Sequence, residues 1–221
     1  MSNSLTYLDN FTPFPDPSHA LVDPNGLLAV GGELSSSRLE EAYQNGIFPW
    51  FNEGEPVLWW SPDPRAVLFP SNYQPNKRFK RFFANTAWTV TFDKAFSQVI
   101  RHCSIRAEGT WITAEIIKSY EILHSIGLAR SVEVWDAERL VGGLYGIKQG
   151  ALFCGESMFS LESNASKVAF HALVTKFTDC GGELFDCQIL NPYTASLGAT
   201  EISRMEFLSY LHNLKRKQIS F

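Results

Sequence analysis

Through about the first 60 residues, short apolar pieces are broken by Pro, Gly and aromatic residues, with Phe14-Pro15, Asp23-Pro24-Asn25-Gly26 and Gly31-Gly32 marking turns. One helix is predicted in this stretch. Ser35 is placed to cap it, Leu39, Ala42 and Tyr43 form its apolar stripe, and Gly46 stops it. The segment Trp59-Trp60-Ser61-Pro62-Asp63-Pro64 then interrupts both the strand and the helix period, so a domain boundary is expected near residue 62.

Beyond that point helices and strands alternate. Asp93 is read as the cap of a helix carrying Ala95, Phe96, Val99 and Ile100, and Thr113 as the cap of another with Ile116, Ile117, Tyr120 and Leu123, closed by Gly127. Ser131 to Trp135 alternates as a strand does, Asp136 to Arg139 reads as a hairpin turn, and Leu140 to Ile147 and Ala151 to Cys154 continue as strands of an antiparallel meander. A helix follows with Ala165, Val168, Ala169, Ala172 and Leu173 on one face, starting near Ser163 and ending before Gly181-Gly182. It leads into a strand around Asp186. A capping box, Ser203 with Glu206, opens a last helix carrying Phe207, Leu208, Leu211 and Leu214. This order predicts an α+β fold: an N-terminal domain over residues 1–62, then a mixed-sheet domain over 63–221 in which one long helix crosses over to a neighbouring strand.

Composition narrows the class of protein. With 221 residues, 45% of them apolar and 14% aromatic, the chain can bury a full core. The formal net charge of -4 provides no global basic field, so any nucleic-acid contact must come from a local patch. Cys103, Cys154, Cys180 and Cys187 form no C-x-x-C pair and the histidines show no metal-ligand spacing, so neither a metal nor a disulfide framework is expected. Met1-Ser2-Asn3-Ser4 has no basic region leading into an apolar stretch, and no run approaches the ~18 apolar residues of a membrane span. A reducing, cytoplasmic location without membrane contact is the expectation.

The most informative stretch is Phe185-Asp186-Cys187-Gln188, which puts a carboxylate and a carboxamide two residues apart in an apolar strand. Regular alternation places Asp186 and Gln188 on one face, with Cys187 facing away. An unpaired acid there costs several kcal/mol, so Asp186 is either paired in the core or presented to a substrate.

Several segments together carry a family likeness. Gly46-Ile47-Phe48-Pro49-Trp50-Phe51, Leu58-Trp59-Trp60-Ser61-Pro62-Asp63-Pro64-Arg65-Ala66-Val67 and Gly109-Thr110-Trp111-Ile112-Thr113 lie in the first half. Leu140-Val141-Gly142-Gly143-Leu144-Tyr145-Gly146, Phe153-Cys154-Gly155-Glu156-Ser157-Met158-Phe159-Ser160, Asn164-Ala165-Ser166-Lys167 and Phe185-Asp186-Cys187-Gln188 follow in the second. In this order they resemble the leucyl/phenylalanyl-tRNA-protein transferases, from about Phe14 to Phe207. The resemblance implies a small N-terminal α+β domain followed by a GCN5-related-acyltransferase-like mixed sheet. It implies an enzyme that moves Leu or Phe, and Met less well, from aminoacyl-tRNA to proteins beginning with Arg or Lys, producing an N-degron. The aminoacyl-tRNA is a substrate, so no cofactor is expected.

The resemblance also assigns residues. Asp186 and Gln188 are the catalytic pair, and because a carboxamide is a very weak base, Gln188 is expected to position the amine while Asp186 fixes Gln188. Glu156 is expected to hold the charged acceptor or the donor's α-amino group. Trp50 and Trp111 lie in matched motifs and are candidates for stacking on the terminal adenine. Leu144, Phe153, Met158, Phe170 and Leu173 are candidates for an apolar donor pocket. Lys77, Arg78, Lys80 and Arg81 are candidates for tRNA phosphate contacts.

Three other readings compete. An acetyl-coenzyme A acyltransferase needs a glycine-rich phosphate cradle at the start of the crossover helix, which Met158 to Ser166 lacks. A non-catalytic RNA-binding module would use the same aromatics and cations. A cysteine amidase would need a histidine in the matched motifs, and none is there.

Overall fold

In a computed structural model of the protein, residues 5–105 and 110–221 are described. Residues 1–4, expected to carry no leader, and Gly109 of the motif ending at Thr113 lie outside them. A small sheet comes first. It contains β1 (Thr6–Leu8), β2 (Leu27–Gly31), β3 (Phe48–Pro49) and β4 (Leu58–Trp60) in the order β1-β2-β4-β3. Helix α1 (Ser36–Gln44) lies between β2 and β3, and the Ser35 side chain accepts the Arg38 N–H at its start.

The larger sheet has seven strands in the order β11-β5-β10-β9-β8-β7-β6. In chain order these are β5 (Arg65–Leu68), β6 (Thr89–Phe92), β7 (Ala129–Asp136), β8 (Arg139–Gln149), β9 (Leu152–Ser160), β10 (Leu184–Gln188) and β11 (Thr200–Ile202). Strands β6 to β9 form the antiparallel meander, β10 runs parallel to β9, and β5 and β11 add antiparallel strands at the far side. The helices are α2 (Lys77–Asn85), α3 (Phe96–Ser104), α4 (Ala114–Ser125), α5 (Ala165–Asp179), α6 (Pro192–Ser196) and α7 (Arg204–Leu214). Helix α5 makes the expected crossover from β9 to β10. The fold is α+β.

Alternation along the central strands sorts their side chains between two layers. Leu152, Cys154 and Leu184 join a core with α3, α4, α7 and the small sheet, whereas Phe153 and Phe185 join a core with α5. The first core continues from Leu28 and Trp59 of the small sheet to Ile100 and Phe207, so one buried surface spans both sheets. Gly142 marks a close approach of the second layer. A Cβ there would lie 2.4 Å from Ala165 Cβ, at the first residue of α5.

A buried ion pair ties β5 to β10. Arg65 donates from Nε to Asp186 Oδ1 at 2.8 Å and from Nη2 to Oδ2 at 2.7 Å, with both side chains removed from solvent. Its remaining nitrogen, Nη1, donates to the Gly46 carbonyl at 3.0 Å, and the guanidinium lies over the rings of Phe48 and Phe207. Asp186 is thus paired in the core, and it also lines a cavity.

One expected helix start is corrected. Asp93 does not cap α3: it adopts φ 57°, and its carboxylate accepts from Arg130 Nε and Ser131 N–H, while Ala95 stands at the cap position. Strand β7 offers a cation and a free N–H next to Asp93, which outcompete capping. Helix α5 starts after Asn164, at φ 75°, next to Ser163 as expected, and the N–H of Ser166 donates to Ser160 Oγ. In the last helix, Ser203 accepts the Glu206 N–H as expected.

Two stability predictions follow from this packing. Arg65→Met leaves the Asp186 carboxylate buried and unpaired, and is expected to lower the unfolding free energy by about 3–5 kcal/mol in urea titrations, most of it recovered when Asp186→Leu is added. Gly142→Val must displace the start of α5, with an expected loss of about 1–3 kcal/mol, read as a lowered thermal midpoint.

Candidate active site

Strand β10 does not keep a regular register. Its pairing with β5 slips between Asp186 and Gln188, so the two-residue step in β10 faces a one-residue step from Val67 to Ala66. Gln188 takes φ 59°, a left-handed conformation that costs a non-glycine residue on the order of 1–3 kcal/mol. The bulge re-aims the side chains. Asp186, Cys187 and Gln188 all line one cavity of about 900 Å³, and Cys187 packs with Phe185 on the α5 core.

Asp186 is already fully engaged. Besides Arg65, its Oδ1 accepts the Gln188 N–H at 2.9 Å and its Oδ2 accepts from Cys154 Sγ at 3.1 Å. The carboxylate therefore holds the backbone of Gln188 in its strained turn. The Gln188 side chain reaches in another direction, its Nε2 donating to Glu156 Oε1 at 3.2 Å. Glu156, on β9, accepts from the Tyr120 hydroxyl at 3.3 Å through Oε2, and the Tyr120 hydroxyl also meets that of Tyr43.

Burial decides the acid–base state of this cluster. It pushes the Glu156 carboxyl up to about 7, against the opposing pull of the Tyr43 and Tyr120 hydroxyls and Arg65, with nearby Asp186 adding to the rise. It also holds both tyrosines well above their usual range. The Cys187 thiol is pushed up to about 12 and Cys154 well above its ordinary value, so both stay protonated and poorly nucleophilic.

The other candidates fall into two places. Leu144, Phe153, Met158, Phe170 and Leu173 all line the same cavity as Glu156 and Gln188. Leu144 is paired with Met158 across β8 and β9, and Phe185 bridges Phe153 and Phe170 with ring centroids 6.2 Å and 6.1 Å away. Trp50 and Trp111 line the cavity too, Trp50 with 48% of its surface exposed and its carbonyl held by Trp60 Nε1. Lys77, Arg78, Lys80 and Arg81 do not line it; they stand exposed on α2.

Helix α2 was not evident as an element, because its cations hide a short apolar face. Asn76 caps it, Phe79 is buried, and Phe83 lies edge-on to His171 of α5 at 4.6 Å. The sequence also left Arg65, Tyr43 and Tyr120 without site roles. Arg65 had a usable signal, as an arginine opening the apolar strand Arg65-Ala66-Val67-Leu68 in a chain with a buried acid to satisfy. The tyrosines had none beyond the apolar stripes of their helices.

Among the described residues no group of three or more His, Cys, Asp or Glu side chains is arranged to hold a metal ion, and no helix is long and apolar enough to cross a membrane.

Comparison with known proteins places this arrangement in a family. The profile described as leucyl/phenylalanyl-tRNA protein transferase matches residues 67–212, and that of the family's N-terminal domain matches residues 32–63. A leucyl/phenylalanyl-tRNA–protein transferase of Enterobacter sp. (strain 638) is 56% identical over 93% of this chain and 88% of its own. One of Klebsiella pneumoniae (strain 342) is 56% identical over 91% of this chain and 87% of its own. Among solved structures, a GCN5-related N-acetyltransferase from Kribbella flavida overlaps 74% of this chain and 60% of its own, at 10% identity and a TM-score of 0.39. Matched by both profiles and more than half identical to such relatives over nearly its whole length, the chain belongs to the leucyl/phenylalanyl-tRNA-protein transferase family.

Proposed function

We propose that this protein transfers Leu or Phe, and Met less well, from aminoacyl-tRNA to the N-terminal Arg or Lys of acceptor proteins, forming a peptide bond and marking the acceptor for degradation. The observation that carries the reading is the meeting of an apolar wall, a buried carboxylate and a carboxamide in one cavity with exposed tryptophan at its lining. The apolar wall suits an aliphatic or aromatic side chain. A pocket of that kind separates similar side chains by only ~10 to 200-fold per methylene, so shared use of Leu, Phe and Met is physically reasonable. Trp50 and Trp111 offer faces for the terminal adenine, and the exposed cations of α2 offer contacts to backbone phosphates. The reaction consumes charged tRNA, which belongs to the cytoplasm, and it draws on no cofactor or metal.

The chemistry asks little of the protein as a base. An N-terminal amine has a reference pKa of ~7.7–8.0, so a substantial minority is neutral near pH 7, and the aminoacyl ester is already activated. The protein must hold amine and ester in attacking geometry and receive a proton. In this reading Gln188 orients the amine, Asp186 fixes Gln188 through its backbone N–H, and Glu156 stands beside Gln188 at the cavity wall. The protonated thiols of Cys154 and Cys187 disfavour a cysteine amidase.

Two experiments test the reading. Radiolabelled Leu or Phe on charged tRNA is expected to pass to a peptide beginning with Arg and not to its Ala-starting twin, with about a hundredfold loss or more in Gln188→Ala. Failure of transfer while uncharged tRNA still binds would leave only an RNA-binding module. Replacing Lys80 and Arg81 together by Ala is expected to weaken tRNA binding and to lower the slope of log affinity against log salt by about two. An unchanged slope would remove α2 from the tRNA surface.

A further inference from the structure

Among the described residues Glu156 makes no ion pair, and Arg65 acts on it only from a distance. Among the described residues its oxygens meet Gln188 Nε2 and the Tyr120 hydroxyl, and no Lys, Arg or His stands within ion-pair distance of it. Beside Tyr120 stands the Tyr43 hydroxyl, delivered by α1, which meets Tyr120 and also acts on Glu156, and both rings are buried. Two phenols in a row are an expensive way to fill a core, since each hydroxyl must be satisfied. Here they are satisfied by each other and by a carboxylate that opens onto the cavity. The Gln188 amide, by donating Nε2–H to Glu156, turns its Oε1 away from that carboxylate, free to accept from an incoming amine.

We propose that Glu156 takes the proton lost by the attacking amine, and that Tyr120, backed by Tyr43, is a positioning residue that keeps this carboxylate ionised and aimed at Gln188. The assignment rests on the aminoacyl-transfer reading above. The step balances without further reagents. The amine lone pair forms the N–C bond at the ester carbonyl carbon, the C=O π pair moves onto oxygen, and the nitrogen proton passes to Glu156. The oxygen pair then re-forms C=O as the bond to the ribose oxygen breaks, and that oxygen takes the proton back from Glu156. Peptide, tRNA hydroxyl and carboxylate are left.

The groups facing Glu156 make this workable. Tyr43 comes from α1, Tyr120 from α4, Arg65 from β5, Cys154 from β9, and Asp186 and Gln188 from β10. Burial leaves the carboxyl at about 7, close to the amine's own range, so the proton can move in either direction at little cost. A carboxamide offers no comparable base.

The test is the pH dependence of kcat/KM for one charged tRNA and one Arg-starting peptide, in wild type, Tyr120→Phe, Tyr43→Phe and Glu156→Gln. A hydroxyl donor favours the ionised carboxylate, so its removal raises the carboxyl pKa and moves the acid limb to higher pH. Tyr120→Phe is expected to lose about tenfold near pH 6.5 and less than about twofold near pH 9, with the peptide KM unchanged. Tyr43→Phe, which removes the other hydroxyl acting on Glu156, is expected to shift the limb in the same direction by at least as much. Glu156→Gln is expected to lose about a hundredfold or more in kcat. A Tyr120→Phe loss equal at every pH, or a Glu156→Gln variant that raises the peptide KM at unchanged kcat, would overturn the assignment. Absence of transfer by the wild type itself would overturn the underlying reading, and this one with it.

Discussion

The structure depends on how one buried guanidinium is satisfied. Taking Arg65 and Asp186 out of water costs several kcal/mol per ion, and the cost is recovered only if nearly every donor and lone pair finds a partner. The partners come from β5, β10, the turn after α1 and the neighbouring Cys154, while the ring of Phe207 in α7 and that of Phe48 close over the guanidinium. Gly46 is required at that turn. Its φ is +74°, and a Cβ there would sit 2.6 Å from Leu208, so the carbonyl that receives Arg65 can be presented only by a residue without a side chain.

That pair also sets the geometry of the cavity. The Asp186 oxygen that binds Arg65 Nε is the same one that captures the Gln188 N–H, so a stability feature and a strained backbone share a single atom. Strain of this kind persists only where the surroundings over-determine it. The outcome is a division of labour between two acids. Asp186 is neutralised by its ion pair to Arg65, whereas Glu156, among the described residues, meets hydroxyls and an amide.

Much of this could be read in the chain. Ser35, Thr113 and Ser203 cap their helices because a short hydroxyl before an apolar stripe has few other places to go. The meander and its crossover helix are visible because their periods are clean. What stayed hidden lies where local pattern yields to a distant partner. Asp93 abandons a cap for Arg130, and Gln188 leaves the regular register at a bulge that no alternation rule foresees. Tyr43 and Tyr120 sit on ordinary stripes, and only the meeting of α1 and α4 reveals that their hydroxyls point at one another. The residues of the apolar wall were legible individually, but their convergence with Glu156 and Gln188 depends on a sheet that brings β8, β9 and β10 side by side.

The long reach of these contacts has a consequence for how the molecule is made. Arg65 finds Asp186 across 121 positions of sequence, and Tyr43 finds Tyr120 across 77. During synthesis, the small sheet and its helix must therefore wait with the Arg65 guanidinium unpaired until β10 has left the ribosome. Until then the first core faces α7 positions not yet translated. Its exposed apolar surface at that stage is what a nascent-chain chaperone would meet, and the finished site is among the last parts of the protein to exist.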